Sequence, residues 1–129
     1  MDTTGQSHPK VKVSRLIKRA DFLRIARGRR WSAPGLVLQA APAAAATSGV
    51  RVGFTATKKL GNAVIRNRVK RRLRETARAV LPLYAEAGHD YVLVGREATA
   101  ARPLPSLIQD LQQALQKVHG GRPPKTVEP

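Results

Sequence analysis

Nine of the chain's 24 lysines and arginines fall between Lys58 and Arg78, in the stretch KKLGNAVIRNRVKRRLRETAR, where Glu75 is the single acid. About half of the formal net charge of +16 therefore sits on this stretch. Like charges at that density repel, and water or a polyanion relieves the repulsion. Arginine presents a planar fork of donors that matches phosphate, so the chemistry this spacing points to is phosphate binding. A face kept only for solubility normally mixes both signs, and this one does not. The turn before it adds a second anion-binding device. Gly61 frees the backbone, Asn62 is a good N-cap, and the first-turn amides would join Lys58, Lys59 and Arg66 around an anion.

Groups that break covalent bonds are not arranged for it in this sequence. The eight acids are scattered, with Asp2, Glu86 and Glu128 in expected tails or a linker. His8 and His119 also fall in expected tails, and His89 reads as a strand start. Asp90 and Glu97 bracket one strand, but seven extended residues span about 23 Å, too far to act on one atom. There is no His-Glu-x-x-His, no Walker loop and no Gly-x-Gly-x-x-Gly. The expectation is a chain without a protein active site. With no cysteine, disulfides and thiolate metal sites are excluded. A sequence pI near 11.7 makes nucleic acid the leading partner and an anionic membrane the next. The amino terminus lacks a signal-peptide pattern, and no run approaches the roughly 18 apolar residues of a membrane span, so a cytoplasmic protein is expected.

The elements that must hold the basic stretch can be read from hydrophobic periodicity. A chain of 129 residues suits one domain, expected over 15–118 between disordered tails at 1–14 and 119–129. Leu16, Ala20, Phe22, Leu23, Ile25 and Ala26 recur at helical spacing, which predicts a helix over about Lys18 to Arg27 capped by Gly28, with Lys18, Arg19, Arg24 and Arg27 toward solvent. Gly35 to Ala40 reads as a strand, and the alanine run Ala43 to Ala46 as a loop. Val50 to Thr57 alternates as a half-buried strand, expected to pair with the previous one as an antiparallel hairpin. The basic helix should run from Asn62 to about Leu81, where Pro82 stops it, with Ile65, Val69, Leu73, Thr76, Ala77 and Val80 as its core stripe. His89 to Gly95 is apolar enough for an inner strand. If it lies parallel to the Val50 strand, the basic helix is the crossover between them. Pro103 to Val118 predicts a closing amphipathic helix.

The run from Lys58 to Arg74 resembles the signature of the bacterial ribonuclease P protein subunit, with its Arg66-Asn67-Arg68 core followed by Lys70-Arg71 and Arg74. The resemblance extends from Leu16 to about Val118, taking in the Arg-Ala-Asp-Phe helix and the Asp-Tyr-Val-Leu-Val strand. It implies a small α+β sandwich of order α-β-β(-β)-α-β-α. The mixed four-stranded sheet would carry a left-handed βαβ crossover against the usual rule, a fold shared with a ribosomal protein domain. It also implies an accessory protein that binds a large catalytic RNA and helps it remove the 5′ leader from precursor tRNA. In that role the protein has no catalytic residue and no cofactor, and magnesium belongs to the RNA subunit. The family's RNA-binding positions fall here on Lys58, Lys59, Asn62, Arg66, Asn67, Arg68, Lys70, Arg71 and Arg74. Its leader cleft falls on Phe22, Arg19, Gln39 and Phe54, although by spacing alone Phe22 reads equally as core. Many relatives have further aromatics where this chain has Ala26 and Gln39, and Trp31 and Phe54 are candidates to compensate. The alternative reading of the residues is a basic ribosomal or other structural RNA-binding protein. An amphipathic helix for membranes or calmodulin-like partners fits less well, because the Ile65 stripe lacks large aromatics and is needed by the core.

Overall fold

The computed structural model describes residues 11–44 and 49–120. Residues 1–10 and 121–129 of the expected tails, and residues 45–48 of the alanine-rich loop, lie outside the described residues. In chain order the elements are β1 (Val13–Arg15), α1 (Arg19–Ala26), β2 (Arg29–Ser32), β3 (Leu36–Pro42), β4 (Val50–Thr55), α2 (Ala63–Tyr84), β5 (His89–Gly95) and α3 (Leu104–Val118). Two 3-10 turns, Lys58–Leu60 and Glu97–Ala100, precede α2 and α3.

The five strands form one mixed sheet in the order β1-β4-β5-β3-β2. Four strands were expected, and the expected hairpin does not form. β5 inserts between β3 and β4, antiparallel to the first and parallel to the second. Its sequence explains why: Tyr91, Val92 and Leu93 are all buried, so this strand needs cover on both faces and takes the centre. Because β4 and β5 are parallel, α2 is the crossover that joins them. The strands that periodicity missed are both at the edges. β1 straddles the end of the expected tail at residue 14 and pairs in parallel with β4. β2 is Arg-Arg-Trp-Ser, exposed throughout, and pairs with β3. Neither has an apolar pattern to announce it, and both depend on a neighbour's free edge.

Alternation along the strands sends side chains to two cores. On one face Leu36, Leu38, Val52, Tyr91 and Leu93 pack beneath α2 and α3. From α2 come Val69, Leu73, Val80 and Leu81, each at most 1% exposed, and each such burial contributes about 1.5–3 kcal/mol. On the other face a smaller cluster of Leu16, Ile25, Ala41 and Val92 seats α1.

Three helix details differ from expectation. Pro82 does not stop α2, which continues to Tyr84. A proline this close to the end forfeits one backbone hydrogen bond, and the buried side chains of Leu81 and Ala85 anchor the final turn on either side of it. Ile65 leaves the core stripe: it is 40% exposed and folds back over Gly61 instead. Arg27, in right-handed helical conformation, caps α1 rather than Gly28. The expected disordered C-terminal segment also begins too early, since His119 caps α3 and packs against Tyr91.

Candidate nucleic-acid interface

The basic stretch begins as β4 leaves the sheet. Lys58 and Lys59 lie in the 3-10 turn, both exposed. Gly61 then adopts φ 137°, a conformation that favours glycine, and a Cβ there would come within 2.8 Å of Ile65 Cδ1. Asn62 caps the helix as its sequence implies: its Oδ1 accepts from the Ile65 amide at 3.1 Å. The turn thus holds Lys58, Lys59 and the helix amino terminus together, with the positive end of the α2 dipole added to the two lysines.

Along α2 the core stripe fixes where each cation goes. Asn67, Arg68, Arg71, Arg74 and Arg78 are exposed, and Lys70 is half-buried at the margin. Among the described residues no ion pair or side-chain hydrogen bond engages Lys58, Lys59, Asn67, Arg68, Lys70, Arg71 or Arg74. Arg66 is half-buried and its Nε is shielded from water with no acceptor. A buried donor left unpaired costs free energy that an incoming acceptor can recover. Arg72 differs from all of these. Its Nε donates to the Thr99 carbonyl at 2.9 Å and its guanidinium also reaches the Arg102 carbonyl, so it clamps the loop before α3 instead of facing outward.

The second surface lies on the opposite face of the sheet. Phe22 of α1 rests on Gly53 of β4, where a Cβ would stand only 2.4 Å from the ring, so this close approach requires glycine. Gln39, Thr55 and Val94 continue the same sheet face and are partly exposed. Arg19 is exposed almost one turn before Phe22, on the same side of α1. Phe54 is not part of this surface. It alternates to the other face and packs against the α2 and α3 core. Trp31 likewise pairs with Leu38 on that face, with Lys117 Nζ 5.4 Å from its ring centroid. Neither aromatic can stand in for the ones missing at Ala26 and Gln39. The two surfaces meet where β4 runs from Thr55 into the Lys58–Leu60 turn.

What fixes α1 on the sheet escaped the sequence reading. Asp90, the second residue of β5, is fully buried and receives Arg51 Nε at 3.0 Å, Arg51 Nη2 at 2.7 Å and Arg24 Nη2 at 2.5 Å. Asp21 of α1 completes the group, 3.3 Å from Arg24 and 3.4 Å from Arg51. Burial pushes the Asp90 carboxyl up, but the hydrogen bonds from Arg51 and Arg24 outweigh it and hold the group below its ordinary pKa. Arg24, expected to face solvent, is therefore a structural cation. The only signal in the sequence was an acid at the start of an apolar strand. A similar pairing of Arg102 with Asp110, at 2.6 Å, ties the loop before α3 to the helix itself.

No helix among the described residues is long and apolar enough to cross a membrane.

Comparison with known proteins adds a consistent result. The family model described as Ribonuclease P matches residues 11–119. The ribonuclease P protein component of Paramagnetospirillum magneticum is 52% identical over 129 aligned residues, covering 92% of this chain and 97% of that protein. That of Ruegeria pomeroyi is 53% identical over 113 residues, covering 86% and 90%. The RNase P protein structure from Thermotoga maritima superposes with a TM-score of 0.67 at 25% identity, covering 80% of this chain and 96% of that one. The Staphylococcus aureus RNase P protein gives 0.65 at 27% identity, covering 82% and 94%.

Proposed function

The chain belongs to the ribonuclease P family, as a protein component of that ribonucleoprotein endoribonuclease, and from this premise we propose how its two surfaces divide the work. The basic face, comprising Lys58, Lys59, Asn62, Arg66, Asn67, Arg68, Lys70, Arg71 and Arg74, docks on the phosphates of the catalytic RNA subunit. Phosphate contacts fix position and orientation without reading sequence, which suits a partner recognised by its fold. The sheet face with Phe22, Arg19 and Gln39 receives the single-stranded 5′ leader of precursor tRNA. Phe22 offers a ring for stacking, worth about 1–3 kcal/mol per base. Gln39 offers an amide where an aromatic would stack, so leader binding here leans on one ring and on charge. Cleavage itself belongs to the RNA with its magnesium, and the protein supplies position and counter-charge in the cytoplasm.

The observation that carries this reading is the row of unpaired cations on α2, rigidly presented by a helix whose opposite side is core. It favours a polyanion of fixed shape over a solubility role, because a flexible, solvated face would not need burial of Val69, Leu73 and Val80 to orient it. The test compares affinity of the reconstituted complex for precursor and mature tRNA. Wild type should prefer the precursor, and Phe22→Ala should reduce that preference about fivefold to 150-fold, the equivalent of one stacked base. Equal affinity of the wild-type complex for both RNAs would instead favour a structural RNA-binding protein.

A further inference from the structure

At the end of the sheet where β5 begins, Glu86 from the loop after α2, His89 of β5 and His119 at the end of α3 converge. Their potential ligand atoms all lie within 4.8 Å of one another. We propose that these three side chains form a binding site for a borderline divalent transition-metal ion of the zinc type.

The ordinary alternative is an aromatic cluster closed by hydrogen bonds, and it leaves the facing Nδ1 atoms of His119 and His89 without a close partner. His119 Nδ1 stands 3.6 Å from Glu86 Oε2, and His89 Nδ1 stands 3.4 Å from the Ala87 carbonyl. Both gaps exceed a good hydrogen bond. The first of them, between two proposed ligand atoms, approaches the spacing of about 3.4 Å between two donors that share a tetrahedral ion at about 2.1 Å from each. Small side-chain rotations therefore convert the cluster into a coordination shell, without moving the helices.

The outer shell is already in place. Tyr91 Oη lies 2.6 Å from His119 Nε2 and accepts from the Glu86 amide at 3.0 Å. In the tautomer the site requires, Nε2–H donates to that hydroxyl and the Nδ1 lone pair of His119 faces Glu86. An acceptor on the far ring nitrogen, usually a carboxylate, backbone carbonyl or water, orients a metal-binding imidazole, and here the Tyr91 hydroxyl takes that place. His89 meets His119 edge-on, with ring centroids 4.7 Å apart. Both imidazoles line a cavity of about 650 Å³, which leaves room for water as a fourth ligand.

Two nitrogens and one carboxylate select against magnesium, which prefers oxygen donors, and favour zinc, nickel or cobalt. Arg29, whose Nη1 donates to the Val118 carbonyl at 3.2 Å, places a positive charge beside His119. Its charge, and the net +16 of the chain, weaken the site without removing it. Occupation would tie the end of α3 to the loop that leads from α2 into β5, at the end of β5 away from Gly95, where α2 begins.

The chain has three histidines, His8, His89 and His119, which makes the test selective. Untagged full-length protein is titrated calorimetrically with zinc chloride at about pH 7.5, where imidazole is mostly neutral, in excess magnesium. Wild type and His8→Ala should bind one ion per chain. His89→Ala and Glu86→Gln, both at accessible positions, should bind at least about tenfold more weakly, and Tyr91→Phe should also lose about tenfold through the outer shell. Zinc should raise the melting temperature of wild type and of His8→Ala only. Absence of saturable binding in wild type, or equal affinity in wild type and a folded His89→Ala protein, overturns the site. Displacement of zinc by magnesium would do so as well.

Discussion

Replacing Asp90 by asparagine preserves shape and removes the charge on which α1 is anchored. In the native protein this carboxylate is fully buried between two arginines whose side chains are 32% and 35% exposed. Removing one partner of a buried pair typically costs about 3–5 kcal/mol. Here the stranded arginines can rehydrate through their exposed portions, and Asp21 retains contact with both, so the expectation is the low end, about 3 kcal/mol. For a domain of this size that corresponds to a melting temperature lower by roughly 10 °C. The pH dependence supplies a second signature. The folded-state pKa of Asp90 is depressed, so its stabilisation is fully present above the unfolded value near 3.9 and is lost as pH falls through the folded value. Below about pH 4 the wild type should lose up to about 1.4 kcal/mol per pH unit from this group, while Asp90→Asn does not, and the two stability curves should converge. Urea denaturation across a pH series measures both effects. A gap below about 1 kcal/mol at neutral pH, or one that stays constant down to about pH 2, would refute the claim that this ion group holds α1 in place.

The remaining predictions separate docking from scaffolding. Arg68→Ala and Arg71→Ala should each leave stability within about 0.5 kcal/mol of wild type and each reduce the slope of log affinity for the RNA subunit against log salt by about 0.7–0.9. Arg72→Ala should do the reverse, costing about 2 kcal/mol in urea denaturation through two lost charged hydrogen bonds, with the salt slope unchanged. Gly53→Ala should displace Phe22 from the sheet, destabilising the fold by about 1–3 kcal/mol and reproducing the loss of precursor preference expected for Phe22→Ala.

How far the sequence revealed this arrangement depends on how local each signal was. The basic helix was legible because its apolar stripe and its N-cap both lie within α2 and the turn before it. The inner place of β5 was legible because burial on both faces leaves an unbroken apolar run. The order of the sheet was not, since Val50–Thr55 would pair as well with β3 as with β5 on pattern alone, and only the demand of β5 for two neighbours decides. β1 and β2 carry no pattern of their own. For the cleft, family resemblance located Phe22 and Gln39 on one surface, but Phe54 and Trp31 were out of reach, because the face a strand residue takes depends on register. Arg24 was expected on the solvent side of α1 and Arg72 lies within the basic stretch, and only their distant acceptors, Asp90 and the Thr99 carbonyl, reveal both as structural.

The central claim, that the chain contributes position and charge while RNA performs cleavage, is tested most directly by reconstitution at low magnesium. Precursor tRNA is incubated with the protein alone, the RNA subunit alone and the two together. The account predicts no cleavage by the protein alone, weak cleavage by the RNA alone and strong 5′ leader removal by the pair. Cleavage by the protein without RNA, or an RNA-alone rate that the protein does not raise, would contradict it.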